Sequence, residues 1–156
     1  MSSAPLDPYD EKILKTLAED GRISWRDLAD AIGLSATPTL RRVRRLEDEG
    51  YILGYGARLD EAKLGVGISV FVSVTLSAQT EDAIQRFEKA ILRSPEVMSC
   101  FLMTGDADYM LRVVVPNLEA FQSFLITKLT RVPGVAHIKS SFALKPVIQR
   151  ASPTLA

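Results

Sequence analysis

The chain has 156 residues, 47% of them hydrophobic and 24% charged, and its 19 Lys/Arg balance 19 Asp/Glu to a formal net charge of zero. That length accommodates one large or two small domains with real cores, and the charge balance excludes attraction of a polyanion by bulk charge alone. Cys100 is the one cysteine, which excludes an intrachain disulfide framework or a multi-cysteine metal site and fits a reducing cytoplasm.

The first ten residues carry prolines and acids where a signal peptide needs a basic start and an apolar stretch. Within them, Asp7-Pro8-Tyr9-Asp10 supplies an N-cap, a proline at the first helical position and an acid at the third, so a helix begins there. Ile13, Leu14, Leu17 and Ala18 continue it with 3/4 spacing, and Asp20-Gly21 ends it. Ser24 and Asp27 have capping-box spacing and open a second helix carrying Leu28, Ala29 and Ile32 on one face. Trp25, in its first turn, is expected to cover the core. Gly33-Leu34-Ser35 then provides a break, an apolar residue and a new N-cap, so a third helix can leave at a steep angle. Pro38 is compatible with this, since it falls in the first turn, where its missing N–H has no intrahelical partner.

The third helix is expected from about Ala36 to Glu49, with Ala36, Leu40, Val43 and Leu46 on its apolar side. Thr37, Pro38, Arg41 and Arg45 fall opposite, and Arg42 and Arg44 lie on the margins. Residues 1–60 hold more acids than bases, but between Ser35 and Leu46 there are four arginines and no acid. Placement decides here, because phosphate contacts act within about 8–10 Å. RRVRR alone is equally a solvated face of an ordinary amphipathic helix. Behind a complete helix-turn-helix pattern, the apolar back and arginine front suit a helix laid in the major groove of double-stranded DNA. The candidate DNA-binding residues are Ser35, Thr37, Pro38, Thr39, Arg41, Arg42, Arg44 and Arg45.

After Gly50 a glycine-interrupted, strand-like stretch leads into the polar Asp60-Glu61-Ala62-Lys63, read as a linker over 53–65. From Val66 to Leu76 the period becomes two, as in a long strand with one apolar face. This falls in the longest uncharged run, 64–80, which is too short and too rich in Gly, Ser, Thr and Gln to span a membrane. Thr80–Arg93 returns to helical spacing, Val97–Met103 reads as a strand, Gly105-Asp106-Ala107-Asp108 as a turn and Tyr109–Val115 as a strand. A capped helix over Asn117–Arg131 and a last strand over Val135–Leu144 complete the order β-α-β-β-α-β. The fold class is therefore α+β: a winged-type helix-turn-helix domain (1–52), the linker, a ferredoxin-like domain (66–148) and a tail (149–156). In that fold both helices lie on one face of an antiparallel sheet. An apolar open face is expected to pair with a second copy.

The chain resembles the leucine-responsive/asparagine-regulator (Lrp/AsnC) family of transcription factors. The matching pieces are Leu6-Asp7 with Asp10 and Ile13-Leu14, Asp20-Gly21-Arg22-Ile23-Ser24, Leu28-Ala29, Gly33-Leu34-Ser35, Arg42-Val43-Arg44-Arg45-Leu46-Glu47 and Gly50-Tyr51-Ile52. Downstream, Thr104-Gly105-Asp106-Ala107-Asp108-Tyr109 and Val132-Pro133-Gly134-Val135 continue the match. Each piece is weak alone, and the ordered set is specific. The resemblance implies a C-terminal domain that dimerises, assembles further into octamers or similar rings, and binds an amino-acid effector beside the Gly-Asp-x-Asp-Tyr turn. The chemistry is reasonable, since a glycine turn exposes N–H groups to a carboxylate and Asp106 or Asp108 can meet an α-ammonium. The turn geometry alone explains the same residues equally simply. The candidate effector residues are Leu102, Thr104, Gly105, Asp106, Asp108 and Tyr109, with Ser140 on the last strand.

The implied function is a cytoplasmic, nucleoid-associated regulator whose DNA affinity responds to an amino acid. The alternative is an architectural protein that wraps or bridges DNA without a ligand. An enzyme is disfavoured. His137 and Cys100 stand singly on strands and are expected to be packed, and no nucleophile triad, phosphate loop or metal-ligand spacing calls for a cofactor.

Overall fold

The computed structural model describes residues 5–153, which form two compact units: residues up to Arg58 together with those from Ile148, and Leu59–Val147. The first holds helices α1 (Pro8–Glu19), α2 (Trp25–Ile32) and α3 (Ala36–Asp48). The expected α1 cap is formed: the Asp7 carboxylate accepts the Tyr9 and Asp10 N–H groups at 2.9 and 3.0 Å, and Asp10 accepts the Asp7 N–H at 3.1 Å. At α2, the Ser24 hydroxyl accepts the Asp27 N–H and donates to the Asp27 carboxylate at 2.6 Å. Gly33 closes α2 in the left-handed conformation (φ 78°), which lets the Gly33 and Leu34 N–H groups both reach the Ala29 carbonyl. A side chain at that φ costs about 1–2 kcal/mol, so glycine permits the sharp exit toward α3 without that strain.

Ile13, Leu17, Leu28, Ile32, Val43 and Leu46 form this unit's core, flanked by Leu6, Leu14, Ile23, Leu34 and Ile52. Three expectations are corrected here. Trp25 is 46% exposed rather than core-covering, because the buried side of α2 is taken by Leu28, Ala29 and Ile32. The face of α3 is also rotated: Thr39, Val43 and Leu46 point inward, Ala36 is exposed and Leu40 is half-buried. Residues 51–60, read as partly strand-like, carry no strand pairing.

The second unit has the expected order: β1 (Ile68–Leu76), α4 (Glu81–Ile91), β2 (Val97–Leu102), β3 (Tyr109–Val115), α5 (Leu118–Thr127), a short 3-10 turn and β4 (Val135–Ala143). The strands form one antiparallel sheet in the order β2-β3-β1-β4. Val70, Val72 and Val74 of β1 and Leu111, Val113 and Val115 of β3 are buried with Phe87, Ile91, Phe121 and Phe124 of the two helices. The aliphatic set of the alternating strand thus lies on the helix-covered side. The open side is mixed rather than aliphatic: Phe71 (42% exposed) and Phe101 (60% exposed) stand among Ser69, Ser73, Arg112 and Lys139. His137, expected to pack, is exposed on β4.

Candidate nucleic-acid interface

The exit at Gly33 leaves one side of α3 to solvent. Ser35 occupies its N-cap position without a side-chain capping bond, and Thr37, Arg41 and Arg44 are exposed on successive turns, with Pro38 half-buried beside them. Thr37, Leu40, Arg41, Arg44, Arg45, Asp48 and Glu49 line an open groove of about 570 Å³. Three expected contact residues are held elsewhere. Thr39 is buried, its hydroxyl donating to the Ser35 carbonyl at 2.9 Å, the back-bond an inward threonine makes inside a helix.

Arg42 and Arg45 turn toward α1. Arg42 Nη1 donates to Asp7 Oδ2 at 2.6 Å and to Asp10 Oδ1 at 2.8 Å, with its guanidinium carbon 5.4 Å from the Tyr9 ring centre. Arg45 Nη2 donates to Asp10 Oδ2. Burial pushes the Asp10 carboxyl up, but the Asp7 N–H and the Arg45 and Arg42 guanidinium groups outweigh it and hold it below the usual carboxylate range. The Asp10 N–H, and then Arg42, likewise hold Asp7 low against partial desolvation. Asp7 and Asp10 were legible as capping acids. Their second task is visible only as a match of spacing: acids three apart on α1 meet arginines three apart on α3.

In the sheet unit the Thr104–Asp108 turn joins β2 to β3, with Gly105 at φ 127° and the Met103 N–H closing it on the Asp108 carbonyl at 2.8 Å. Leu102, Thr104, Gly105 and Asp106 are exposed there. Asp108 and Tyr109 are not. The Asp108 carboxylate accepts the Leu76 N–H at 2.6 Å and the Gln79 side-chain amide at 2.5 Å. The Tyr109 hydroxyl donates to Glu88 at 3.0 Å beneath the Phe87 ring, and burial first, then Glu88, push its ionisation far upward. Two of the seven candidate effector residues therefore have intramolecular side-chain partners, and Gln79 and Glu88, among those partners, carried no signal in the sequence. Ser140 lies on the far edge strand, opposite Val72, with β1 between it and β3. Among the described residues there is no cluster of three His, Cys, Asp or Glu that could hold a metal, and no helix is long and apolar enough to cross a membrane.

A three-helix unit with a glycine-broken turn and cationic third helix, joined in one chain to a βαββαβ unit, defines the class of two-domain helix-turn-helix DNA-binding proteins. Residues 6–52 match the family model for winged helix-turn-helix DNA-binding domains, and residues 69–153 match that for the Lrp/AsnC ligand binding domain. The chain is 64% identical to the Bkd operon transcriptional regulator of Pseudomonas aeruginosa, over 97% of this chain and 99% of that protein. It is 40% identical to the leucine-responsive regulatory protein of Escherichia coli K12, over 92% of this chain and 88% of the relative. The crystal structure of a Neisseria meningitidis transcriptional regulator in complex with L-Met superposes with a TM-score of 0.90 at 35% identity, covering 96% of this chain and 97% of that one. The chain belongs to the Lrp/AsnC family of transcription regulators.

Proposed function

We propose that this protein is a sequence-specific regulator that reads DNA with the outward side of α3 and changes its DNA affinity when an apolar amino acid binds the sheet unit. The observation that carries the first half is the exposed row Thr37, Arg41 and Arg44, unpaired with the acids that hold Arg42 and Arg45. Short side chains near the start of such a helix reach base edges, and guanidinium groups take guanine edges or phosphates. The amino-acid reading is supported by relatives: one is named for leucine and another was crystallised with L-Met. The 64% identity across almost the whole chain supports a role at a Bkd-type operon.

The exposed residues Leu102, Thr104, Gly105 and Asp106 form the ligand-facing set, with Asp108 and Tyr109 fixing the turn from beneath and Ser140 contributing from β4. Phe71 and Phe101 on the open side support dimerisation through the sheet, and further assembly into octamers or similar rings brings several α3 helices to nucleoid DNA in the cytoplasm. An effector that prefers one assembly by about 1–3 kcal/mol shifts DNA affinity about 5- to 150-fold, and DNA shifts ligand affinity reciprocally. The test is selection of bound duplexes from a random pool, followed by anisotropy titration of the selected duplex with each of the twenty amino acids. Leucine or methionine altering the affinity supports the proposal. No response to any amino acid overturns it in favour of an architectural protein, and failure to enrich any duplex overturns sequence specificity.

A further inference from the structure

We propose that Asp10 is a positioning residue that sets how much of the positive charge of α3 reaches DNA, by holding the guanidinium of Arg45 against α1. The inference rests on the DNA-binding reading above. Asp10 is fully buried at the N-terminal turn of α1 and serves three donors: Arg42 Nη1 on Oδ1, and the Asp7 N–H and Arg45 Nη2 on Oδ2. Arg45 is 36% exposed and lines the groove beside Arg41 and Arg44. Its guanidinium therefore stands between two possible acceptors, the Asp10 carboxylate and a phosphate laid on that groove. The carboxylate is fixed in place and shielded from solvent, where charge pairing is stronger, and losing Arg45 leaves it with less compensation for its burial.

The two inward arginines are not equivalent. Arg42 has a second anchor in Asp7 and a ring beneath it in Tyr9, whereas Asp10 is the carboxylate to which Arg45 is hydrogen-bonded. Removing the charge of Asp10 should therefore release Arg45 and leave Arg42 held. Asp10→Asn keeps the side chain's shape and one carbonyl oxygen for the Asp7 N–H, which is also the oxygen that faces Arg45, so Arg45 is left with a neutral acceptor that a phosphate outcompetes, while Arg42 keeps the Asp7 carboxylate. The four arginines of α3 thus divide into an outward pair that contacts DNA, Arg41 and Arg44, and an inward pair withheld from it.

The test uses the full chain and a short duplex of random sequence, with anisotropy measured over a potassium chloride series. Asp10→Asn should steepen the dependence of log K on log salt by about one for each α3 engaged, and tighten binding at low salt. Arg44→Gln should flatten the slope by about one, Arg45→Gln should change it little, and Asp10→Asn with Arg45→Gln should restore the parent slope. A folded Asp10→Asn protein with the parent slope overturns the proposal. Arg45→Gln flattening the slope as much as Arg44→Gln also overturns it, and this comparison decides the matter even where Asp10→Asn fails to fold. Nitrogen-15 NMR of the guanidinium groups needs no DNA: restricted rotation at Arg45 in the parent, averaged in Asp10→Asn, is expected, and free rotation in the parent refutes the anchor. A parent with a restricted Arg45 that binds no duplex at all overturns the DNA-binding reading and, with it, the role of Asp10 toward DNA.

Discussion

Asp108 immediately precedes β3 on the buried side of the turn that joins β2 to β3, and its carboxylate accepts the backbone N–H of Leu76, the last residue of β1, at 2.6 Å. The same carboxylate holds the Gln79 side chain at 2.5 Å, and the Asp108 N–H returns to the Val74 carbonyl at 2.9 Å. A residue in an expected ligand turn is thus also the tie between the two central strands and the segment leading into α4.

Asp108→Ala should therefore cost stability as well as any ligand response. It leaves the Leu76 N–H without its acceptor, a loss of about 1–3 kcal/mol for a buried donor. Asp108→Asn retains an oxygen and should lose less. Urea midpoints of the three proteins without ligand check this, and an alanine variant as stable as the parent removes the structural role. Only the asparagine variant then offers a fair test of ligand binding, since its fold is held by the same bond.

Leu46→Ala empties a fully buried position where α3 meets the core of the first unit. A cavity of that kind costs about 2–5 kcal/mol. The lesion lies outside the sheet unit, whose core of β1, β3, α4 and α5 residues is separate. Urea unfolding should show Trp25 fluorescence shifting to lower denaturant while the transition of the sheet, followed by far-ultraviolet β signal, stays in place. Coincident shifts of both signals contradict that independence.

What could be read from the sequence and what could not divide along a physical line. Caps and periods are local, so the Asp7 and Ser24 boxes, the break at Gly33 and the β-α-β-β-α-β order were all legible in the order of the residues alone. The rotation of α3 was not. Whether Thr39 or Ala36 faces inward depends on where α2 delivers the helix, and whether Arg45 faces DNA depends on an acid 35 positions earlier in the chain. The same limit applies at the turn between β2 and β3: Asp108 and Tyr109 have the chemistry of ligand-binding side chains, and only the packing of Leu76, Gln79 and Glu88 around them shows that they are already engaged.

Arg41→Ala and Arg44→Ala should each weaken DNA binding, and the manner of loss separates their roles. A base-reading arginine costs about 1–3 kcal/mol on a selected duplex and relaxes preference at one position. A phosphate-contacting arginine weakens all sequences alike and lowers the salt slope by about one. Gel shifts on selected and scrambled duplexes at fixed salt distinguish the two. If neither variant differs from the parent on either duplex, α3 is not the reading helix.

Acid should undo the first unit through Asp7 and Asp10. Both carboxyls are held below their ordinary value of 3.8, Asp7 first by the Asp10 N–H, and Asp10 against its own burial by the Asp7 N–H, Arg45 and Arg42. A group whose pKa is lower folded than unfolded adds stability above the unfolded value, and that stability is lost as pH falls through the folded value. The contribution should therefore be intact near neutrality and fade from about pH 4 downward, where the unfolded chain takes up protons that the folded chain resists. Both arginines stay charged throughout, so protonation of Asp10 leaves their guanidinium groups facing a neutral buried acid. The measurement is urea unfolding of the parent and Asp10→Asn, monitored by Trp25, at a series of pH values from 7 downward. The parent should lose stability more steeply below about pH 4 than the variant, whose position 10 does not titrate. Parallel curves for the two proteins across that window would mean that the Asp10 carboxylate gains nothing from its arginines in the folded state.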